Sequence, residues 1–164
     1  MPERQTVEKA KKDLRQGRSA STAAGEFVRE EMHHIREGKH GARSAKQAIA
    51  IGLSKARRAG VPLKPSGGSS RTRKAARRDL ATGQHRRKPR APSRKRAAAT
   101  SRALKREPRS AASHRALATQ AHRSAKQRGH AARVRAARKA VRTKGPTERR
   151  QAARKAARTR ARHT

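Results

Sequence analysis

Histidines and glutamates are concentrated between residues 30 and 40, and their spacing suits metal binding. Glu30 and His33, like Glu31 and His34, have the Glu-x-x-His spacing of carboxylate-bridged metal sites in helical bundles, and His40 follows nearby. Such a site needs further glutamates on partner helices, and the other predicted helices supply almost none. We therefore predict no metal site. We expect Glu30, Glu31, His33 and His34 to form a solvated helix face, with the two glutamates meeting Lys or Arg of a third helix.

No other residue pattern in the chain indicates catalysis. There is no cysteine, which excludes a disulfide framework, a thiolate zinc site and a cysteine nucleophile. Glycine-rich phosphate loops, the His-Glu-x-x-His motif and the Gly-x-Ser-x-Gly turn are absent as well. Leu, Ile, Val and Phe number only 15 of 164 residues, too few for a large core that could desolvate a catalytic pair. We expect no enzymatic activity, no cofactor and no small-molecule substrate.

Basic residues dominate the sequence and are unevenly distributed. The chain has 48 Lys and Arg against 10 Asp and Glu, a formal net charge of +38. Residues 1–60 hold 14 basic and 7 acidic residues, whereas residues 61–164 hold 34 basic and 3 acidic. In the second part Arg outnumbers Lys by 25 to 9, which favours bidentate contacts to phosphate oxygens. A charge of this size needs a polyanionic partner, and we predict nucleic acid.

The residues predicted to contact phosphates are basic side chains from both parts of the sequence. In the first part they are Arg43, Lys46, Lys55, Arg57 and Arg58. In the second part they are Arg71, Arg73, Lys74, Arg77, Arg78, Arg86, Arg87, Lys88, Arg90, Arg94, Lys95, Arg96, Arg133, Arg135, Arg138, Lys139, Arg149, Arg150, Arg154 and Lys155.

Duplex DNA fits this composition better than single-stranded nucleic acid does. Single-strand readers stack bases on several aromatic side chains, and Phe27 is the one aromatic residue of the sequence. RNA stays open as a partner because charge alone does not separate the two polymers, and self-association is open too. The longest apolar run, Ala48 to Ile51, is far too short for a membrane span, and the N-terminus lacks an apolar leader. We expect no membrane partner and a cytoplasmic, nucleoid location.

Apolar periodicity predicts three short helices in the first part. Each ends near a glycine, and their approximate spans are residues 6–16, 22–37 and 44–60. The second is the most clearly amphipathic, with Phe27 and Ile35 on one face. Ser44 and Gln47 have the spacing of a capping box at the start of the third.

The second part predicts no folded domain. Residues 62–70, rich in Pro, Gly and Ser, have the composition of a flexible linker. Beyond it, Ala and Arg give high helix propensity to four segments: residues 93–107, 113–127, 131–143 and 148–160. Neighbouring like charges should hold these segments open until phosphates neutralise them. The predicted architecture is mostly α: a three-helix module at 1–61, a linker at 62–70, and a basic tail at 71–164 that is largely disordered when free.

The first part resembles a bacterial domain of unknown function found in small basic proteins. The resemblance covers roughly residues 3–62 and rests on the run at residues 25–60, GEFVREEMHHIREGKHGARSAKQAIAIGLSKARRAG. It implies a DNA-binding protein. The tail is similar in composition to bacterial proteins likened to the histone H1 tail, although it is richer in Arg than in Lys. Residues 1–60 do not resemble a winged-helix domain.

Together these features predict a nucleoid-associated, histone-like protein that binds DNA without sequence preference and compacts it. Two other interpretations stay open. One is an RNA- or ribosome-associated basic protein whose tail lies among rRNA phosphates. The other is an adaptor whose N-terminal module binds another protein while the tail holds it on the nucleoid.

Overall fold

The fold, taken from a computed structural model, is helical throughout the residues that are described, which are 2–84, 93–143 and 145–161. These residues form seven α-helices and one 3₁₀ helix: α1 Arg4–Arg15, α2 Ala20–Arg36, α3 Ala45–Arg58, α4 Ser70–Gly83, α5 Arg94–Arg106, the 3₁₀ helix Arg109–Ala112, α6 His114–Thr143 and α7 Pro146–Ala161. Gly129 interrupts α6 with a non-helical φ of 74°, so α6 consists of two helical halves.

A first apolar cluster joins α1, α2 and the end of α3. It is built from one aromatic residue and several small ones: Ala10, Ala23, Ala24, Phe27, Ala56 and Val61. Phe27 at its centre is fully buried. Because most of these side chains are alanines, the helix backbones pack close together and the buried apolar area stays small.

A second apolar cluster is completed by residues far along the chain. Its buried members come from α2, the following loop, α3 and the 3₁₀ helix: Met32, Ile35, Ala42, Ala48, Ala111 and Ala112. Backbone hydrogen bonds fix this arrangement, since Gly41 N donates to Leu104 O at 2.8 Å and Ala42 N to Pro108 O at 3.2 Å. The Arg36 guanidinium also donates to Ala112 O at 2.9 Å. The segment around residues 104–112 is therefore an integral part of the core.

The helices α1, α2 and α3 lie where the apolar periodicity places them. Ser44 caps α3 by accepting a hydrogen bond from Gln47 N at 3.2 Å, as the capping-box pattern predicts. The Gln47 side chain reaches back to accept from Arg43 N at 2.9 Å. At the end of α2, Gly38 has a φ of 80°, the left-handed conformation that terminates helices.

The predicted architecture of a three-helix module and a largely disordered tail is wrong. The described residues beyond 69 are mostly helical, and α4 has no counterpart among the predicted helices, although Ser69 caps it by accepting from Thr72 N at 3.2 Å. Like charges four residues apart cost a helix only about 0.2–0.5 kcal/mol per pair. Ala and Arg gain a comparable amount at every position, since ordinary residues differ in helix propensity by up to about 0.7 kcal/mol.

Packing extends the folded unit well beyond α3. The helix α4 packs against α3, and the 3₁₀ helix packs against both α2 and α3. The compact unit that contains α1 continues to Gln120, and a second unit begins at Ala121. The first three helices are thus part of a larger helical unit. No helix in the described parts of the chain is long and apolar enough to cross a membrane.

Candidate nucleic-acid interface

The helix α4 is held by one face and exposes basic side chains around the rest of its circumference. On the packed face Ala76 is buried, and Asp79 accepts a hydrogen bond from Ser54 Oγ of α3 at 2.7 Å. Arg58 of α3 lies 3.4 Å from the same carboxylate. Five predicted phosphate contacts of α4 are exposed: Arg71, Arg73, Lys74, Arg77 and Arg78. The face with Ala76 and Asp79 therefore packs against α3, and the basic face of α4 is exposed to solvent.

The remaining described helices also expose the bases predicted to contact phosphates. These are Arg94, Lys95 and Arg96 on α5, Arg133, Arg135, Arg138 and Lys139 on α6, and Arg149, Arg150, Arg154 and Lys155 on α7. In the first part Arg43 and Lys46 are exposed as well. Among the described residues, every ion pair lies between Glu3 and Asp79. The positive charges of the described bases on α5, α6 and α7 are therefore not offset by a paired carboxylate in this part of the chain.

Two predicted phosphate contacts are used inside the protein. Lys55 is half-buried, with its Nζ 2.6 Å from Glu31 Oε2. Arg57 is only 9% exposed, and its Nε donates to Leu63 O at 3.1 Å, which ties the chain after α3 back onto that helix. Both side chains therefore make contacts within the folded protein. The sequence shows their charge but does not show which face of α3 is covered.

On α5, α6 and α7 the sequence prediction also omitted exposed bases. These are Arg102, Lys105 and Arg106 on α5, Arg115, Arg123, Lys126, Arg128 and Arg142 on α6, and Arg158 and Arg160 on α7. Their signal is the same Ala and Arg composition that marks their neighbours. The predicted contacts Arg86, Arg87, Lys88 and Arg90 lie outside the described residues.

The first part of the chain neutralises its acidic residues internally. Each of its 7 acidic residues lies in at least one ion pair. On the surface, a hydrogen bond from Lys39 is the main cause that holds the pKa of Glu37 below its ordinary value of 4.5, and His33 contributes. The same contact raises the pKa of Lys39. The helices α1–α3 therefore offer less free positive charge than α4–α7.

The expected solvated face of α2 is wrong for three of its four residues. Glu30 and Glu31 are buried and His34 is half-buried, whereas His33 is exposed as predicted. The reason is that α2 packs against both α1 and α3, so the face that bears the glutamates is covered. The predicted meeting of these glutamates with a base of the third helix is confirmed by Lys55.

Comparison with models of protein families, with curated proteins and with solved structures finds no match for this chain. The resemblance of residues 3–62 to a domain of unknown function therefore stays a prediction.

Proposed function

We propose that the protein binds double-stranded DNA without sequence preference and compacts it, as a nucleoid-associated, histone-like protein. The observation that carries the proposal is the exposure of the predicted bases on α4, α5, α6 and α7. Only 3 acidic residues oppose 34 basic ones in residues 61–164. Nonspecific affinity for DNA grows with the number of phosphates neutralised, because each contact releases condensed counterions.

Helices give the basic side chains a regular spacing. On α7, Arg150, Arg154 and Arg158 recur every four residues, which places them on one face about 6 Å apart along the helix axis. Such a stripe presents successive guanidinium forks to successive phosphates of one strand. Arg is suited to this contact because its planar donors match two phosphate oxygens at once.

Compaction requires that one molecule neutralise a long stretch of duplex or contact two duplexes. With one charge per about 1.7 Å of duplex axis, the 38 net positive charges correspond to about 65 Å of DNA. Exposed bases occur in both compact units, on α4 in the first and on α7 in the second. Each unit can thus contact phosphates, and a chain that engages two duplexes bridges them.

Base readout is not expected from these surfaces. Sequence recognition needs side chains held in register against base edges in a groove, and each good bidentate contact discriminates by about 1–3 kcal/mol. The exposed bases have the long, flexible side chains typical of phosphate contacts. We therefore expect similar affinities for unrelated duplexes.

Fluorescence anisotropy with the full-length protein tests this proposal. Several unrelated DNA duplexes and an RNA duplex of equal length are titrated over a salt series. If about 15 phosphates are contacted, log K should fall against log salt with a slope of about −13, at −0.9 per contact. A slope near zero, or a preference above about a hundredfold for one DNA sequence, would overturn nonspecific binding. Tighter binding to RNA would overturn the assignment to DNA.

Compaction needs its own measurement. The extension of a single tethered DNA molecule should shorten as protein is added, and recover when salt is raised. Binding that leaves the extension unchanged at saturation would contradict the compacting role while leaving DNA binding intact.

A further inference from the structure

Glu31 is a carboxylate with no exposed surface and no hydrogen bond. Its side chain is 0% exposed, and neither of its oxygens accepts a hydrogen bond. Lys55 Nζ lies 2.6 Å from Oε2, without hydrogen-bond alignment but close enough to offset charge. Glu30, also buried, shares the same ammonium at 3.8 Å. Two buried carboxylates therefore share one cation, and the remaining negative charge needs a further positive partner.

Two imidazoles lie beside Glu31. His40 Nε2 is 3.3 Å from Glu31 Oε1, and the rings of His34 and His40 meet edge to face with centroids 6.4 Å apart. One donor atom of each of the three residues lies within 4.8 Å of the other two. Ligands bound about 2.0–2.1 Å from a tetrahedral metal are about 3.4 Å apart. Glu31 and His40 already have that spacing, and a donor atom of His34 lies within 4.8 Å of both.

The second nitrogen of each imidazole has an acceptor of its own. His40 Nδ1 lies 3.1 Å from Gly41 O, and since a carbonyl only accepts, Nδ1 carries the proton. Nε2 lies 3.3 Å from Glu31 Oε1, and it is the atom that can bind a metal ion once it carries no proton. His34 Nε2 lies 3.0 Å from Glu3 Oε1, and its Nδ1 lies 4.0 Å from Glu30 Oε1, so Nδ1 is the nitrogen left to bind a metal ion. Backbone carbonyls and carboxylates in this position orient metal-bound histidines and raise their basicity.

From this geometry we propose that Glu31, His34 and His40 form a Zn²⁺ site. Two imidazoles and one carboxylate are the ligands of three-residue zinc sites, in which water takes the fourth position. Mg²⁺ and Ca²⁺ prefer shells of oxygen ligands, so the two imidazoles favour a transition metal. The third ligand, His40, comes from the loop after α2, so the site does not depend on glutamates from partner helices.

Charge balance favours a cation at this place. Glu3 is offset by Lys39, whose Nζ lies 3.7 Å from Glu3 Oε1. Glu30 and Glu31 share the single positive charge of Lys55, so one negative charge remains for a bound cation to offset. Glu31 can serve both cations, because Oε2 faces Lys55 while Oε1 faces His40.

The site would connect α2 to the loop that follows it. Glu31 and His34 belong to α2, and His40 belongs to the loop whose backbone pairs with Leu104 and Pro108. A bound ion therefore ties this loop to α2 and supports the second apolar cluster. Binding of the ion would stabilise the fold, and this effect does not depend on nucleic-acid binding.

The test is a zinc titration of the full-length protein after removal of metal with a chelator. Competition with a chromophoric chelator should give one tight Zn²⁺ per chain. We expect His34→Ala and His40→Ala to weaken binding at least about tenfold. The matched control is His33→Ala, because His33 is the exposed neighbour of His34 and contacts Glu37 instead. It should change affinity less than about twofold.

Thermal unfolding gives a second readout. Zn²⁺ should raise the Tm of the wild type and of His33→Ala, because a ligand of the native state stabilises it by mass action. Zn²⁺ should leave the Tm of His40→Gln unchanged. Circular dichroism of the metal-free variants shows whether they fold. If a ligand variant fails to fold, a one-to-one zinc complex and a Tm increase in the wild type and His33→Ala still support the site.

Two results would overturn the proposal. One is a folded wild type that binds no Zn²⁺ tightly. The other is equal affinity in the wild type, His34→Ala and His40→Ala, which would place the metal elsewhere in the protein.

Discussion

Gly52 of α3 lies directly on the backbone of Val28 in α2. A Cβ added at Gly52 would be 2.8 Å from Val28 Cα and 3.1 Å from Phe27 O. The two helices therefore meet backbone to backbone at this point, between the two apolar clusters. With so few large side chains, the protein gains contact by bringing helices close together, and this approach needs a residue without a side chain.

Gly52→Ala should therefore destabilise the protein. The added methyl group forces α2 and α3 apart, and overpacking of this kind costs about 1–3 kcal/mol. The control is Gly25→Ala in α2, where a Cβ meets no atom within 4 Å. That substitution should stabilise by about 0.5–1 kcal/mol through helix propensity. Urea denaturation measures both, and a Gly52 variant as stable as the wild type would refute the close packing.

Lys55→Met should lower the free energy of unfolding by about 3–5 kcal/mol, because it leaves two buried carboxylates without their cation. The matched control is Lys46→Met on the same helix, where the side chain is exposed and the change should stay within about 0.5 kcal/mol. Adding Glu31→Gln to the Lys55 variant should recover part of the loss, since one unpaired charge is then removed. Chemical denaturation in the presence of a chelator makes these comparisons independent of metal. Equal stability of the two lysine variants would refute a structural role for Lys55.

Removing charge from α7 should reduce the salt dependence of DNA binding more than removing it from α1. The triple variant Arg150→Ala, Arg154→Ala, Arg158→Ala should shift the slope of log K against log salt by about 2.7 if each arginine contacts one phosphate. An equal charge is removed from exposed positions of α1 by Lys9→Ala, Lys12→Ala and Arg15→Ala. Anisotropy titrations that show the same shift for both triples would mean that net charge alone, and not the exposed tail helices, determines binding.

Glu37 should contribute to the loss of stability in acid. Its pKa in the folded protein lies below 4.5, chiefly because Lys39 donates a hydrogen bond to it. A carboxyl whose pKa is lowered by folding stabilises the protein above its unfolded pKa, and that contribution disappears as pH falls through the folded value. Glu37→Gln should therefore lower the Tm slightly at pH 7, where the ionised carboxylate stabilises the protein, and this difference from the wild type should disappear as the pH falls below about 4.5. A variant whose Tm follows the wild type throughout acid titration would contradict this role.

Local sequence signals predicted the first three helices well, and tertiary contacts explain most of what was missed. Periodic apolar residues and the Ser44 cap locate α1, α2 and α3, because such patterns depend on short-range geometry. Burial of Glu31 depends instead on a loop and a lysine that are distant in sequence. The helix α4 was overlooked because its apolar face consists of little more than Ala76 and Leu80.

The expected disorder of the tail shows a different limit of sequence reasoning. Composition rules weigh the scarcity of large apolar residues against net charge. These rules take no account of tertiary packing, in which Ala111 and Ala112 are buried in the same apolar cluster as Ile35. The described bases predicted to contact phosphates on α4–α7 are exposed, as Arg usually is, whereas Lys55 and Arg57 are covered because α3 packs against neighbouring helices.

The bond from Gly41 to Leu104 has a consequence for the order in which the protein folds. It closes a loop of about 60 residues, and each doubling of loop length costs only about 0.6 kcal/mol in chain entropy. The larger barrier to closing this loop is electrostatic repulsion. The segment around Leu104 is rich in Lys and Arg, and the residues that it approaches also have a net positive charge. Salt shortens the reach of this repulsion to about 10 Å at 0.1 M. Refolding should therefore accelerate with ionic strength even as DNA affinity falls, and a polyanion beside the nascent chain would serve as a folding template.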